Sequence, residues 1–402
     1  MGLRPMISSL LRNKTGPLLV ALQIAVTLAI VINATFIIAQ RIDKMNRDTG
    51  IDVDNVIVVY ARGFGADFDV QGSVTNDVAL LESISGVIAA TVANHVPLSG
   101  SGSGTGLRTV ADETVEPVGT ARYELSEKGL EALGVELISG RNFFPEEVDF
   151  IRPGTESRTP PSVLVTRELA ENLFGDEDAL GKPVYWGDMK PSTIVGIIGH
   201  MHGSWVNWDK LANVVVQPGK PLYTANRYIV RVEPGLRDSL IPVIEKELGE
   251  SNRRRIVKSV RSLDELAARS YRRDRGMAVI LSLVISMLIC LTVLVIGGLS
   301  SFHVTQRTRQ IGTRRALGAT RMNIVREFLL ENWLIATFGA VLGTGLSVGV
   351  AAWLQASFQL PALDWRYLPA GIAAVWLVSS LAVCEPARRA ASVPPAVATR
   401  SV

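Results

Sequence analysis

Residues 277–299 read MAVILSLVISMLICLTVLVIGGL, a run of 23 positions without one charged side chain. A bilayer core about 30 Å thick is crossed by roughly 20 apolar residues in helical form, so this run reads as a membrane span. Three more stretches approach or reach that length, at residues 17–39, 332–354 and 368–384. The last is short, but Trp365 and Tyr367 before it and Arg388 and Arg389 after it suit the two membrane–water interfaces. The first follows Arg4, Arg12 and Lys14 and so shares the basic head of a signal peptide. Its apolar run exceeds the roughly 7–15 residues of a signal core, and no clear small-x-small cleavage site precedes Gln40. It reads as an uncleaved anchor.

Between the first two spans lie 235 residues, 41–275, without an apolar run of membrane length. That is enough chain for a domain with its own core. Four crossings put both termini on one side, with the domain and residues 355–367 on the other. The expected fold class is a membrane protein with four transmembrane α-helices and a large α+β extracytoplasmic domain inserted between helices one and two. Three parts are expected: residues 1–40 as arm and first helix, 41–275 as the outer domain, and 276–402 with three helices, a cytoplasmic segment 301–331 and a tail.

The 402 residues carry 41 Lys+Arg and 38 Asp+Glu, a formal charge of +3 that conceals a split. Residues 41–275 hold 28 basic and 34 acidic side chains, and everything else holds 13 and 4. The membrane part is therefore basic and the domain acidic. A positive-inside reading puts the arm, residues 301–328 and the tail in the cytoplasm. The margin is narrow, since 12 basic residues lie near the inner span ends and 10 near the outer ones. An apolar fraction of 48 % with 20 % charged excludes a disordered chain. Cys290 and Cys384 exclude a disulfide scaffold, and with four scattered His they offer no closed zinc site. Nothing points to nucleic acid.

Inside the domain, residues 55–60, 162–166, 192–198, 211–216 and 227–232 read as strands, and 76–84, 167–174, 238–248 and 262–275 as helices. The pattern is mixed α+β, with several short sheets or one antiparallel sheet. Ser99-Gly-Ser-Gly-Ser-Gly-Thr-Gly106 reads as a flexible surface loop, because its spacing does not fit G-x-G-x-x-G. Gly175-Asp-Glu-Asp-Ala-Leu-Gly-Lys182 is near a phosphate loop but has five residues between its glycines, three carboxylates, and Pro183 in place of Ser/Thr. His200-Met-His202 beside Trp205 and Trp208 supplies two ligands for copper or zinc, against the commoner reading of exposed His in a strand-end loop. No nucleophile elbow, HExxH helix or placed carboxylate pair is present. No catalytic and no metal residue is expected.

The most informative segment is QRTRQIGTRRALGATRMNIVREFLLE, residues 306–331. Arginines alternate with apolar residues, and Ile311, Leu317, Ile324, Val325 and Phe328 can form buried stripes on two helical pieces separated near Gly318-Ala-Thr320, with Thr320 as the second cap. One reading is a basic turn that sets topology and touches anionic lipid. The other is a docking element in which small Ala316, Gly318 and Ala319 admit a partner and Arg307, Arg309, Arg314, Arg315 and Arg321 meet its acidic surface, with Gln310, Ile311, Gly312, Leu317 and Ile324 completing the segment. In the third span, Gly339-xxx-Gly343 and Gly345-xxx-Gly349 suit close helix packing, inside one subunit or at a dimer seam.

The pattern R-T-x-x-I-G-x-R-x-A-x-G-A-x-x-x-x-I from Arg307 to Ile324, then Glu331 and a Gly-rich helix, resembles the MacB/FtsX-like permeases of ABC transporters. So does the tail PARRAASVP at residues 386–394. Residues 134–143, 174–182 and 193–199 are similar to that family's extracytoplasmic core domain. Gln310 departs from the acidic residue the family often has there. The resemblance implies an inner-membrane, multi-pass permease with its large domain in the periplasm and both termini cytoplasmic. It also implies mechanotransmission: two permease copies or paralogues dock an ABC ATPase through residues 307–331, and ATP-driven closure moves the outer domains to export peptide, antibiotic or lipid-linked cargo. With no phosphate loop in this chain, ATP and magnesium are expected on a separate ATPase subunit. A periplasmic adaptor and an outer-membrane duct are further partners in such systems. The alternatives are an FtsX-like regulator that relays ATPase motion to a periplasmic hydrolase without transport, and a ligand sensor signalling through the basic loop.

Overall fold

A computed structural model describes residues 15–152, 159–358 and 361–392. Arg4, Arg12, Lys14 and the end of the tail motif, Val393 and Pro394, lie outside the described residues. In chain order the elements are α1 (Thr15–Met45), β1 (Val56–Gly63), α2 (Val70–Ser83), β2 (Val87–Ala93), β3 (Gly104–Leu107), β4 (Val118–Leu125), α3 (Gly129–Leu133), β5 (Leu137–Gly140), a 3-10 turn (Pro145–Glu147) and β6 (Phe150–Ile151). There follow β7 (Ser162–Thr166), α4 (Arg167–Phe174), β8 (Pro183–Tyr185), β9 (Pro191–Ile198), β10 (Val214–Pro218), β11 (Lys220–Pro221), β12 (Ala225–Val232), α5 (Arg237–Ser251), β13 (Arg255–Ser262), α6 (Leu263–Ser270), α7 (Arg272–Ala316), α8 (Arg321–Phe358) and α9 (Tyr367–Ser392). The chain divides into two compact units, Met1–Asn46 with Arg273–Val402, and Arg47–Arg272.

The second unit is α+β. Its four-stranded sheet, ordered β13-β1-β12-β2, is antiparallel throughout. A seven-stranded sheet, β3-β4-β10-β7-β9-β5 with β8 on β9, is mixed: β4–β10 and β7–β9 run parallel. This corrects the choice between short sheets and one antiparallel sheet. The β7–β9 pair needs a crossover, and α4 supplies it, capped by Thr166 and stopped at Gly175 with φ +63°. A two-strand pair, β11–β6, completes the sheets. Residues of both large sheets share one core, with Val58, Ile229 and Ala89 from the first and Tyr123, Leu164 and Val216 from the second.

Four local expectations change. α2 begins at Val70, not near residue 76, because Asp69 accepts a hydrogen bond from the Gly72 N–H and starts the helix earlier. β10 spans Val214–Pro218 rather than residues 211–216. The helix expected over 262–275 stops at Ser270, with Tyr271 outside helical geometry before α7 starts at Arg272. The Gly/Ser run is not a free loop. Gly104–Leu107 pairs with β4, and a Cβ on Gly102 or Gly104 would stand 3.0 or 3.4 Å from the Trp205 ring.

Each of the four apolar stretches lies in a helix long and apolar enough to cross a membrane, as expected: α1, α7, α8 and α9. Along α1, Val20, Ile24, Leu28 and Ile32 recur every fourth residue and face one seam. Ala336 and Ala340 of α8 and Val375, Ala382 and Val383 of α9 share that core. Of the most apolar stretch, 56 % is enclosed in α1 but only 11 % in α7, so α7 keeps most of its apolar surface uncovered within this chain. Two polar side chains of α1 find partners inside the bundle: Asn33 donates to the carbonyls of Ala29 and Ser347 at 2.9 and 3.2 Å, and Thr27 meets Thr292 at 3.2 Å. At the far end of α1, Arg41 and Lys44 hold the buried Asp274 carboxylate of α7 at 2.6 and 3.3 Å.

Candidate coupling segment and helix seams

The segment between α7 and α8 is a tight helical hairpin whose turn follows from its residues. Gly318 adopts φ +96°, the left-handed position that ends a helix. The Gly318 N–H bonds the Arg315 carbonyl and the Ala319 N–H reaches back to Arg314, both at 3.1 Å, which is the Schellman pattern. Thr320 then caps α8, accepting from the Asn323 N–H at 3.3 Å. The break and the cap are where the sequence puts them.

The side chains of the docking pattern separate into two groups. Ile311, Gly312 and Ile324 are buried with Phe328 in the hairpin interior. Arg307 pairs with Glu331 at 3.0 Å and Arg314 with Glu327 at 2.6 Å, two charged rungs from α7 to α8. These residues hold the hairpin closed. Arg309, Gln310, Ala316, Leu317, Gly318 and Arg321 are exposed, while Arg315 and Ala319 are half-buried. Leu317 does not join a buried stripe as expected. It follows the last residue of α7, directly before the Gly318 turn, and is 83 % exposed; Met322, in the first turn of α8, is exposed as well. Glu327 carries no signal of its own in sequence, because its partner lies across a turn rather than at helical spacing.

The glycine pairs of α8 also separate. A Cβ on Gly339 would stand 2.8 Å from the Ala21 carbonyl oxygen, and one on Gly343 2.9 Å from that of Ala25, so this pair lets α1 and α8 meet backbone to backbone. Gly345 and Gly349 face open space. Gly343→Leu is therefore expected to destabilise the helical unit by about 1–3 kcal/mol, as overpacking does, seen as a lower melting midpoint of the purified chain in detergent. Gly345→Leu should leave the midpoint in place, and equal melting of the two variants would refute the seam.

In the outer unit the chemical lures resolve into structure. Lys182 pairs with Glu177 and lies over the Phe174 ring, so the Gly175–Lys182 stretch is a closed turn. His200 bonds the Glu168 carboxylate and the Asp48 carbonyl. His202 is buried rather than exposed, and burial, then the charge of His200, lowers its pKa to about 4. The two rings stack edge-on against the segment that leaves α1, where the His202 N–H bonds the Thr49 carbonyl. Trp205 and Trp208 pack edge to face at 5.7 Å and cover Gly102, Gly104 and Gly119. Among the described residues no group of three His, Cys, Asp or Glu side chains could hold a metal ion. Two clefts of this unit flank the first turn of α2, where Phe68 stands among Asp67, Asp69 and Arg254.

Four membrane-length helices with a large α+β unit inserted after the first define a multi-pass membrane protein of the permease kind. Residues 18–241 match the MacB-like periplasmic core domain and residues 282–395 the FtsX-like permease C-terminal region. The chain belongs to the family of ABC-transporter permeases built from these two parts. The macrolide export ATP-binding/permease protein MacB of Neisseria gonorrhoeae is 26 % identical over 365 residues, 87 % of this chain and 52 % of that protein. The chain thus spans about half the length of the MacB proteins it matches. The ABC transporter permease YknZ of Bacillus subtilis is 24 % identical over 394 residues, covering 87 % of this chain and 92 % of its own. Among solved structures, the periplasmic region of MacB from Actinobacillus actinomycetemcomitans aligns with 54 % of this chain and 92 % of its own at 16 % identity and a TM-score of 0.33.

Proposed function

We propose that this chain is the permease subunit of a MacB-type ABC exporter, in which ATP hydrolysis by a separate ATPase subunit moves the outer domain by mechanotransmission. One observation carries the reading. α7 runs without a break for 45 residues, from Arg272, next to the exit of the outer unit, to Ala316, beside the hairpin turn. At 1.5 Å per residue it is roughly 68 Å long, more than twice a bilayer core. A displacement at Leu317 is therefore passed along one continuous helix to the point where the chain leaves the outer unit. The ion-pair rungs to Glu327 and Glu331 make α8 move with it.

In this reading the exposed Arg309, Leu317 and Arg321 contact the ATPase, which holds ATP and magnesium. The uncovered face of α7 meets lipid and a second permease copy or paralogue. The membrane is the inner one, the outer unit is periplasmic and both termini are cytoplasmic, so cargo such as a peptide, antibiotic or lipid-linked molecule is handled outside the bilayer. An adaptor and an outer-membrane duct would attach to the periplasmic unit.

The test uses the full chain with its ATPase in nanodiscs, with Cys290 and Cys384 changed to Ser and one spin label at Lys246→Cys, an exposed position on α5. The distance between labels on two copies is expected to change when ATP binds and to return after hydrolysis. The same distances in all nucleotide states would refute mechanotransmission.

A further inference from the structure

The end of the four-stranded sheet meets β4 and β10 of the larger sheet at a polar junction that the transport reading does not use. His95 follows β2 and Arg227 sits on β12, while Arg122 and Glu124 project from β4 and Gln217 from β10. Tyr223 lies between β11 and β12. The frame is well tied. Asn94 donates to the Arg122 carbonyl at 3.3 Å and accepts from the Glu124 N–H at 3.0 Å, and Arg227 donates to the Asn94 carbonyl at 2.8 Å.

The functional groups on that frame are only partly satisfied: Glu124 accepts from Gln217 at 3.2 Å and His95 bonds the Ser101 backbone. Three enclosed atoms, His95 Nδ1, Arg122 Nε and Glu124 Oε2, have no hydrogen-bond partner. A buried polar atom left unpaired is costly, and native proteins rarely collect three at one place. The charges are unbalanced too. Asn94 meets both arginines, its side chain at the Arg122 carbonyl and its own carbonyl at the Arg227 guanidinium, and after burial the charges of both act on the His95 and Tyr223 ionisations. Among the described residues no carboxylate forms an ion pair with Arg227, and Arg122 has only Glu124, at 3.7 Å. Burial holds the Glu124 carboxyl above its usual range against the pull of Arg122. Two half-buried guanidiniums, with unfilled hydrogen-bond positions beside them, stand in a domain whose overall charge is negative.

We propose that this junction binds a small anion bearing a carboxylate or phosphate group, gripped by Arg122 and Arg227 and oriented by His95 and Tyr223. Arginine forks suit both kinds of oxyanion. Because Arg227 belongs to one sheet and Arg122 to the other, the ligand bridges the two sheets and stiffens the outer unit. The inference does not depend on the export reading, since it concerns only the outer unit's own residues.

The test is calorimetric titration of the full chain in detergent with inorganic phosphate and, separately, with succinate, which distinguishes the two anion sources. At least one is expected to bind saturably and to raise the melting midpoint of the outer unit. Arg122→Gln and Arg227→Gln should each weaken binding by roughly tenfold or more, the size of a charged hydrogen bond. Glu124→Gln keeps an acceptor oxygen for the Gln217 amide, removes the competing charge and should bind at least as tightly, while exposed Lys210→Gln should change nothing. Arg122→Lys and Arg227→Lys, which retain charge, check the fold through their melting curves and should bind with intermediate affinity. The proposal is overturned if neither anion binds saturably at millimolar concentration, or if the two Gln variants of arginine bind as the parent does.

Discussion

Leu317→Asp is expected to lower the affinity of the permease for its ATPase by at least about 25-fold, the loss of roughly 2 kcal/mol typical of a central interface side chain. ATP-driven movement should be lost with it. The position is a clean one, because Leu317 is 83 % exposed, so the change removes little from the chain's own packing. Substitutions on either side are harder to interpret. Ile311 and Ile324 are buried inside the hairpin, so a charge there would open it. Gly318 has φ +96°, so any side chain strains the turn whether or not a partner is present. Arg314→Gln breaks the rung to Glu327 and should loosen the hairpin with a smaller loss of affinity, because that arginine is already engaged within the chain. The measurement is pull-down or calorimetric binding of purified ATPase to the nanodisc-embedded chain, with the melting curve recorded alongside. Unchanged affinity for Leu317→Asp would remove the hairpin tip from the docking surface.

Asp77→Ala should destabilise the outer unit by about 3–5 kcal/mol, the cost of leaving a buried charge without its partner. Arg255 and Asp77 are both buried and form an ion pair between β13 and α2. The Asp77 carboxylate also accepts from the Tyr228 hydroxyl at 2.6 Å and from Ser73 at 3.3 Å. Arg255 further donates to the Leu248 carbonyl and to Ser251 at the end of α5. One network therefore ties two helices to two strands, and burial with the Asp77 charge keeps the Tyr228 phenol strongly protonated as its donor. For a unit of this size about 2–4 °C of melting temperature is lost per kcal/mol, so a drop on the order of 10 °C is expected. Asp77→Asn keeps the shape and some hydrogen bonds and should fall between the two. A melting curve of Asp77→Ala within a degree or so of the parent would show that water or rearrangement satisfies Arg255.

The membrane helices were legible because length and apolarity decide them locally. Residues 277–299 have no alternative to a buried or lipid-covered helix. The turn at Gly318-Ala-Thr320 was legible for the same reason, since a left-handed glycine and a threonine cap act within a few residues. The mixed sheet was not. Whether β4 pairs with β10 in parallel depends on chain paths almost a hundred residues apart, and the strands read alike in either direction. Asp77 and Arg255 likewise join residues more than a hundred positions apart, with no spacing to announce them.

Apolar length, turn chemistry and the split of charge were enough to establish a four-helix membrane protein with a large acidic α+β insert and a basic hairpin between its second and third helices. The division of labour within each motif came only from the tertiary structure. Arg307, Arg314 and Ile311 look as suited to a partner as Leu317 does, and Gly345 looks as suited to a seam as Gly343. Periodicity says which residues share a helix face. Only the packed neighbours show which face is already covered: Glu331 and Glu327 take two of the arginines, Ala21 and Ala25 take one pair of glycines, and Leu317 is left in the open.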